Sequence, residues 1–224
     1  MNTALISTEY KHILRSSVLF RALDGAELEQ ALALFGAEPS AYAKGELVHP
    51  PYTPMKRFGL VLSGTVQAGM DDREGSRMIM AEVVPGGTFG ESLCFLSSED
   101  SPVYVTASEP SELLWLSPEV LFDEPRDALS LRLQKQFTAM LAARTLAMND
   151  RIQVLSKLRL RDKLMTYFTQ LSRRTGEMTF QLPLNREDLA AYVGTNRSAL
   201  SRELARMKRE GLIDYYRNTI RLLG

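Results

Sequence analysis

The chain has 224 residues, 45% of them apolar, with 27 Lys and Arg against 27 Asp and Glu. That composition suits a packed core and excludes the disordered and fibrous classes, while the length suits one large domain or two modest ones. The lone cysteine, Cys94, can form no intrachain disulfide and cannot furnish the thiolates of an iron–sulfur cluster.

No stretch approaches the ~18 apolar residues of a membrane helix, and the opening residues carry no signal-peptide pattern. The expectation is a cytoplasmic protein with no membrane partner. The zero net charge is a cancellation, however. Residues 1–125 carry 8 basic and 18 acidic side chains, and residues 126–224 carry 19 basic and 9 acidic. Asymmetry of this size points to a polyanion partner for the second half.

The first predicted element is helical. Leu19-Phe20 and Leu23 lead to Asp24, which caps a helix with Glu27 at the third position and Leu28, Leu32 and Leu34 following. From about Pro39 to Leu116 the texture changes to short apolar runs: Leu60-Val61-Leu62, Met78-Ile79-Met80, Val103-Tyr104-Val105 and Leu113 to Leu116. Glycines at 45, 64, 69, 75, 86, 87 and 90 fall between them, where tight turns are wanted. Regular short strands with such punctuation predict a β-roll or sandwich.

Past Pro125 one long helix is predicted over Asp127 to Leu158. Its apolar positions Phe137, Leu141, Met148, Ile152 and Leu155 recur at spacings of three, four or seven, with Thr145 as the polar member. A helix of ~45 Å outreaches the surface of one roll. Pairing with the same helix of a second subunit is therefore preferred over packing on a neighbouring domain. A further helix over Asp162 to Arg173 carries Leu164, Tyr167, Phe168 and Leu171 on one face.

The chemistry concentrates beyond Leu182. Asn185 caps a short helix with Asp188 at the third position and Leu189 and Val193 inward, and Gly194 ends it. Thr195 or Asn196 caps a second helix, whose buried stripe is Leu200, Leu204 and Met207 and whose stop is Gly211. Opposite that stripe stand Ser198, Arg202, Ala205 and Arg209, with Arg197 and Ser201 on its flank. A face of guanidinium, hydroxyl and small groups suits a DNA groove, because Arg grips guanine bidentately and Ser donates to phosphate or a base edge. Apolar runs flanking Arg217-Asn218 predict a hairpin, a wing that lays Arg217 along a phosphate backbone. The plainer reading of these features is a three-helix bundle with solvated Arg and Ser.

Taken together, several motifs resemble the cyclic AMP receptor protein / fumarate–nitrate reductase regulator (CRP/FNR) family across nearly the whole length. They are Leu19-Phe20 with Leu23, Gly45-Glu46, Leu62-Ser63-Gly64, Phe89-Gly90-Glu91, the long helix, and Asn185, Leu189, Val193-Gly194, Arg197 and Leu200-Ser201-Arg202-Glu203-Leu204. The resemblance implies a homodimeric transcription regulator with an effector-binding roll, a dimerising helix and a winged helix-turn-helix, and RNA polymerase as a partner. It implies that Arg202 reads a guanine, that Arg197 is another base contact and that Ser201 contacts phosphate. Position 198 departs from well-known members, which carry Glu there to read cytosine; Ser198 has no carboxylate, so their half-site cannot be borrowed.

Members that bind cyclic AMP neutralise its phosphate with an Arg-Ser pair closing a cassette that begins Gly-Glu. Here the cassette begins at Gly90-Glu91, and the ungapped positions for the pair are Ser101 and Pro102. From Met78 to Pro125 there is no Lys or Arg, against nine Asp or Glu. A buried phosphate without a cation carries a heavy desolvation cost, which argues against cyclic AMP unless a cation such as Arg144 reaches in from the long helix. Haem stays open because one axial His or Cys suffices, with His12, His49 and Cys94 as the available groups. Cys94 reads more readily as a small buried hydrophobe, His49 as a loop residue, and the ten Met residues as core filling. By resemblance, Thr145, Met148 and Asn149 join Gly90 and Glu91 as expected effector contacts.

The expected fold is α+β: an effector-sensing, cyclic-nucleotide-binding-like β-roll over 1–125, a dimerisation helix over 126–158 and a winged helix-turn-helix over 159–224. The expected function is sequence-specific binding of double-stranded DNA at a near-palindromic operator, under an unknown small effector other than cyclic AMP. The DNA contacts assigned are Thr195, Asn196, Arg197, Ser198, Ser201, Arg202, Arg209 and Arg217. The alternative is a small-molecule-sensing protein-interaction module without specific DNA binding. An enzyme is not expected, since the sequence displays no Ser/His/Asp constellation, phosphate loop or metal-ligand cluster.

Overall fold

The computed structural model describes residues 8–71, 77–96 and 100–223, so Gly75, one of the glycines assigned to a turn, lies outside the described residues. The chain divides into two compact units, Met1–Met140 and Leu141–Gly224. No helix among the described residues is long and apolar enough to cross a membrane.

The first unit opens with helices α1 (Lys11–Ser16) and α2 (Gly25–Leu34). Asp24 forms the expected capping box: its carboxylate accepts from the Glu27 amide at 2.9 Å, and Glu27 accepts from the Asp24 amide at 3.1 Å. Leu19, Phe20 and Leu23 belong to the turn before α2 rather than to a helix, yet all three are buried. The strands follow as β1 (Glu38–Tyr42), β2 (Leu47–His49), β3 (Phe58–Ser63), β4 (Val66–Asp71), β5 (Arg77–Val83) and β6 (Thr88–Phe89). After helix α3 (Glu91–Leu96) come β7 (Tyr104–Ala107), β8 (Ser111–Leu116) and the short helix α4 (Glu119–Phe122).

They make two four-stranded antiparallel sheets, ordered β1-β8-β3-β6 and β2-β7-β4-β5. Val61, Val66, Phe89, Val105 and Leu113 form a buried cluster within the roll. A chain of aromatic contacts runs from Phe20 to Phe35 (5.8 Å between centroids), Phe58 (6.0 Å) and Phe137 (5.9 Å), tying the N-terminal turn, the end of α2 and β3 to the long helix.

That helix, α5 (Ala128–Leu155), ends three residues short of the predicted boundary. Its first turns bury Leu129, Leu133, Phe137 and Met140 in the first unit. The apolar stripe read from the sequence behaves otherwise further along: Met148 is 66% and Ile152 60% exposed. The face of α5 that packs within the second unit is a different one. It carries Val154, which is fully buried, and half-buried Asp150, whose carbonyl accepts from Gln170 at 3.1 Å and whose carboxylate pairs with Arg174. At 100° per residue, Ile152 and Val154 point 160° apart, so beyond Leu141 the stripe read from the sequence lies nearly opposite the side that the second unit buries.

The second unit continues with α6 (Leu160–Thr175), β9 (Thr179–Gln181), α7 (Arg186–Tyr192), α8 (Arg197–Arg209), β10 (Ile213–Tyr216) and β11 (Thr219–Leu222). Leu164, Tyr167, Phe168 and Leu171 are buried as the spacing predicts, against Leu189, Val193, Leu200, Leu204, Met207, Ile213 and Ile220. β9 is an unpredicted third strand that pairs with β11, Phe180 opposite Ile220. Three residues are too few to show a period of two, and only the pairing partner makes them a strand.

Candidate nucleic-acid interface

Helices α7 and α8 are joined by a turn that local chemistry builds. Asn185 caps α7, its side-chain oxygen accepting from the amides of Glu187 (2.9 Å) and Asp188 (3.0 Å). At the other end, the Thr195 amide donates to the Ala190 carbonyl at 2.9 Å and the Gly194 amide to the Ala191 carbonyl at 3.2 Å. This paired closure needs a left-handed residue at the corner, and Gly194 supplies it with φ +70°. Lys163 donates to the Val193 carbonyl at 3.1 Å, satisfying another orphan acceptor of the helix end. Asn196 then caps α8, accepting from the Ala199 amide at 2.9 Å. Of the two caps the sequence allows, Asn196 is the one used, and Thr195 instead helps close α7.

The outward face of α8 is as the spacing places it. Arg197, Ser198, Ser201, Arg202, Ala205 and Arg209 are exposed, as is Asn196, while Thr195 is half-buried. Ser201 donates its hydroxyl to the Arg197 carbonyl at 2.9 Å, which leaves its oxygen lone pairs outward.

The cations of α8 fall into two groups. Lys208 pairs with Asp214 at 2.6 Å, and Arg206 with Glu210 at 3.0 Å. Arg197, Arg202 and Arg209 form no ion pair with any described residue. A side chain from α6 takes up the remaining carboxylate of α8: Arg161 reaches Glu203 at 2.9 Å and Glu210 at 2.6 Å. Three guanidinium groups are thus available to an external anion.

The wing is built by contacts that sequence reasoning missed. Strands β10 and β11 pair as a two-residue hairpin with Arg217 at its corner, at φ +50°. Arg186, the first residue of α7, donates from Nη2 to the Arg217 carbonyl at 2.8 Å and lies 5.2 Å from the Tyr215 ring centre; Lys208 lies 5.2 Å from the same ring. Arg186 sits 31 residues from the carbonyl it holds, so no local spacing announces the contact. The Arg217 guanidinium lies 5.4 Å from the Tyr216 ring on the exposed wing.

The residues assigned to an effector lie in both units and are described unit by unit. In the first, Gly90 holds φ +82°, and a Cβ there would meet the Met55 sulfur at 2.0 Å, so only glycine fits. Glu91 is buried at the start of α3, with the Thr88 hydroxyl donating to its carboxylate. In the second, Arg144, Thr145, Met148 and Asn149 occupy exposed positions of α5, and Thr145 donates to the Leu141 carbonyl at 3.0 Å.

His49 is not a loop residue as the following prolines suggested: it ends β2, is buried, and its Nε2 sits 3.1 Å from the Thr53 carbonyl oxygen. Burial holds its imidazole below the ordinary range. His12 is exposed on α1. The Cys94 thiol is buried and is pushed up to about 11, by burial first and then by Glu119 and Glu91. A thiol protonated at neutral pH is a poor nucleophile. Native protein at pH 7.5 is expected to react with iodoacetamide about 100-fold more slowly than urea-unfolded protein, and equal rates would place Cys94 in an accessible, thiolate-stabilising site.

A Crp-like helix-turn-helix domain matches residues 162–223, and a cyclic nucleotide-binding domain matches residues 39–124. The cyclic AMP receptor protein of Thermus thermophilus is 28% identical over 203 residues, 89% of this chain and 89% of that protein. The CRP-like protein Clp of Xanthomonas oryzae pv. oryzae is 25% identical, spanning 100% of this chain and 97% of its own. Among solved structures, the c-di-GMP responsive global regulator CLP of Xanthomonas campestris superposes with a TM-score of 0.54 at 24% identity, covering 90% of this chain and 100% of that one. With a cyclic-nucleotide-binding-like roll, a long helix and a helix-turn-helix in this order, the chain belongs to the cyclic AMP receptor protein / fumarate–nitrate reductase regulator family of transcription regulators.

Proposed function

We propose that this protein is a sequence-specific DNA-binding regulator that works as a homodimer, with an effector-sensing roll over 1–125, a dimerising helix over 126–158 and a winged helix-turn-helix over 159–224. The observation that carries the reading is the division of charge on α8: Arg197, Arg202 and Arg209 face outward without a described ion-pair partner, whereas Lys208 and Arg206 are engaged. Arg202 reads a guanine through O6 and N7, Arg197 contacts a second base, Ser198 meets a base edge, and Ser201 donates to phosphate once its hydroxyl turns from the Arg197 carbonyl. Asn196 and Thr195 bring the N-terminal turn of the helix to the groove, Arg209 extends the contact along it, and the wing lays Arg217 on the backbone. Two such helices about 34 Å apart read successive major grooves of a near-palindromic operator.

The dimer is supported by the exposed stripe of α5, where Met148 and Ile152 face away from the core of their own unit. The effector is a small molecule other than cyclic AMP, supported by the absence of Lys and Arg from Met78 to Pro125. The relatives' names point to different nucleotides, cyclic AMP in one and c-di-GMP in the other, so the family roll does not by itself specify the ligand. Arg144, Thr145, Met148 and Asn149, with Gly90 and Glu91, are its proposed contacts, and RNA polymerase is the proposed protein partner at the promoter.

The test is Arg202→Ala, measured by fluorescence anisotropy on a duplex selected by the protein from a randomised library and on a random duplex. Binding to the selected duplex is expected to weaken by ~1–3 kcal/mol with far less change on random DNA. Equal losses on both would make Arg202 a backbone contact, and failure of the protein to select any sequence would favour a protein-binding role for the helix-turn-helix.

A further inference from the structure

The residue that the geometry singles out beyond this interface is Arg161, near the N-terminus of α6. Its Nε donates to Glu203 at 2.9 Å and its Nη1 pairs with Glu210 at 2.6 Å. Its Nη2 is buried without a hydrogen-bond partner. Nε and Nη1 are thus committed to carboxylates and Nη2 is buried, and the side chain is 29% exposed. The hydrogen bonds Arg161 donates to Glu210 and then to Glu203 raise its affinity for its proton, and the Arg161 contact holds the Glu210 carboxyl below the usual range.

The two carboxylates matter because of where they sit. At 100° per residue, Glu203 and Glu210 lie about 100° around α8 from Arg202 and Arg209, each following one of those arginines in sequence. They are the acidic side chains of α8 and its cap. Uncompensated, two negative charges on the flank of that face repel any phosphate backbone within one screening length, about 10 Å at 0.1 M salt. They would also compete for the neighbouring Arg206.

We propose that Arg161 is a positioning residue for DNA binding: by bridging Glu203 and Glu210 it neutralises the acidic flank of α8 and anchors the helix to α6, leaving the outward arginines to the nucleic acid. The proposal rests on the DNA-binding reading. It assigns Arg161 no contact with DNA and makes the first turn of α6 a support of the recognition helix.

The experiment measures binding of a random-sequence duplex and of a library-selected duplex by full-length wild-type, R161Q, R161K and the triple variant R161Q/E203Q/E210Q, across a salt series. R161Q is expected to weaken binding to both duplexes about tenfold at 50 mM salt, with the deficit shrinking toward about twofold at 300 mM as the flank is screened. R161K, which holds one carboxylate at a time, falls between, and it keeps the comparison available if R161Q folds poorly. The triple variant is expected to recover affinity to within about twofold of wild type, which a loss of fold or of a direct phosphate contact would not allow. Unchanged binding by R161Q and R161K, or a triple variant as weak as R161Q, overturns the proposal. Wild-type protein that binds neither duplex overturns the DNA-binding reading itself, a distinct outcome.

Discussion

Ile152→Glu is expected to convert the protein from dimer to monomer and to weaken binding to a two-half-site operator by at least about 100-fold. Ile152 is 60% exposed in the single chain and lies on one stripe with Leu141, Met148 and Leu155. Paired with its counterpart, it would bury an apolar side chain that contributes ~1.5–3 kcal/mol per copy. A carboxylate in its place removes that contribution twice and sets two like charges against one another in a dry seam, at a further cost of several kcal/mol. A monomer engages one half-site only and forgoes the gain of about 100-fold to 10,000-fold that linking two reading heads provides. Ala143→Glu, half a turn away around α5, adds the same charge at an exposed position and serves as the control. Sedimentation velocity reads the assembly and anisotropy the binding; an Ile152→Glu protein that stays dimeric would take this stripe out of the interface.

Leu204→Ala is expected to destabilise the Leu141–Gly224 unit by ~2–5 kcal/mol. Leu204 is 1% exposed and packs in a core with Leu164, Phe168, Leu200 and Met207. Removing three methylene-equivalents there loses transfer free energy and leaves a cavity that α6 and α8, fixed at both ends by caps and ion pairs, close poorly. For a unit of this size each kcal/mol moves the midpoint by roughly 4–8 °C, so a drop above about 10 °C in its calorimetric transition is expected. Arg202→Ala, two residues earlier on the opposite face, should leave the same transition within about 0.5 kcal/mol of wild type. The contrast separates recognition from folding on a single helix. A Leu204→Ala protein melting with the wild type would mean that this core repacks around the gap.

Much of the recognition half could be read from the sequence because its signals are local. The Asn185 cap, the glycine corner at 194, the inward stripe of Leu200, Leu204 and Met207 and the hairpin around Arg217 each depend on residues within a turn or two of one another. The same holds for the Asp24 capping box and the glycine-punctuated strands of the roll. Other features were hidden because their cause is distant in sequence. β9 is a strand only because β11 lies beside it, Arg186 holds a carbonyl 31 residues away, and Arg161 meets a carboxylate 42 residues away. His49 took its loop assignment from Pro50-Pro51, whereas its burial comes from the sheet that β2 joins.

What the sequence determined by itself was the order of elements, the segregation of charge between the halves and the outward basic face of one helix, since periodicity and caps are written in neighbouring residues. Only the tertiary structure decided which of that helix's cations are engaged, which side of α5 each unit buries, and which distant arginines brace the recognition helix and the wing. Those outcomes depend on which surfaces folding brings within 3 Å of one another, and a linear pattern carries no record of that.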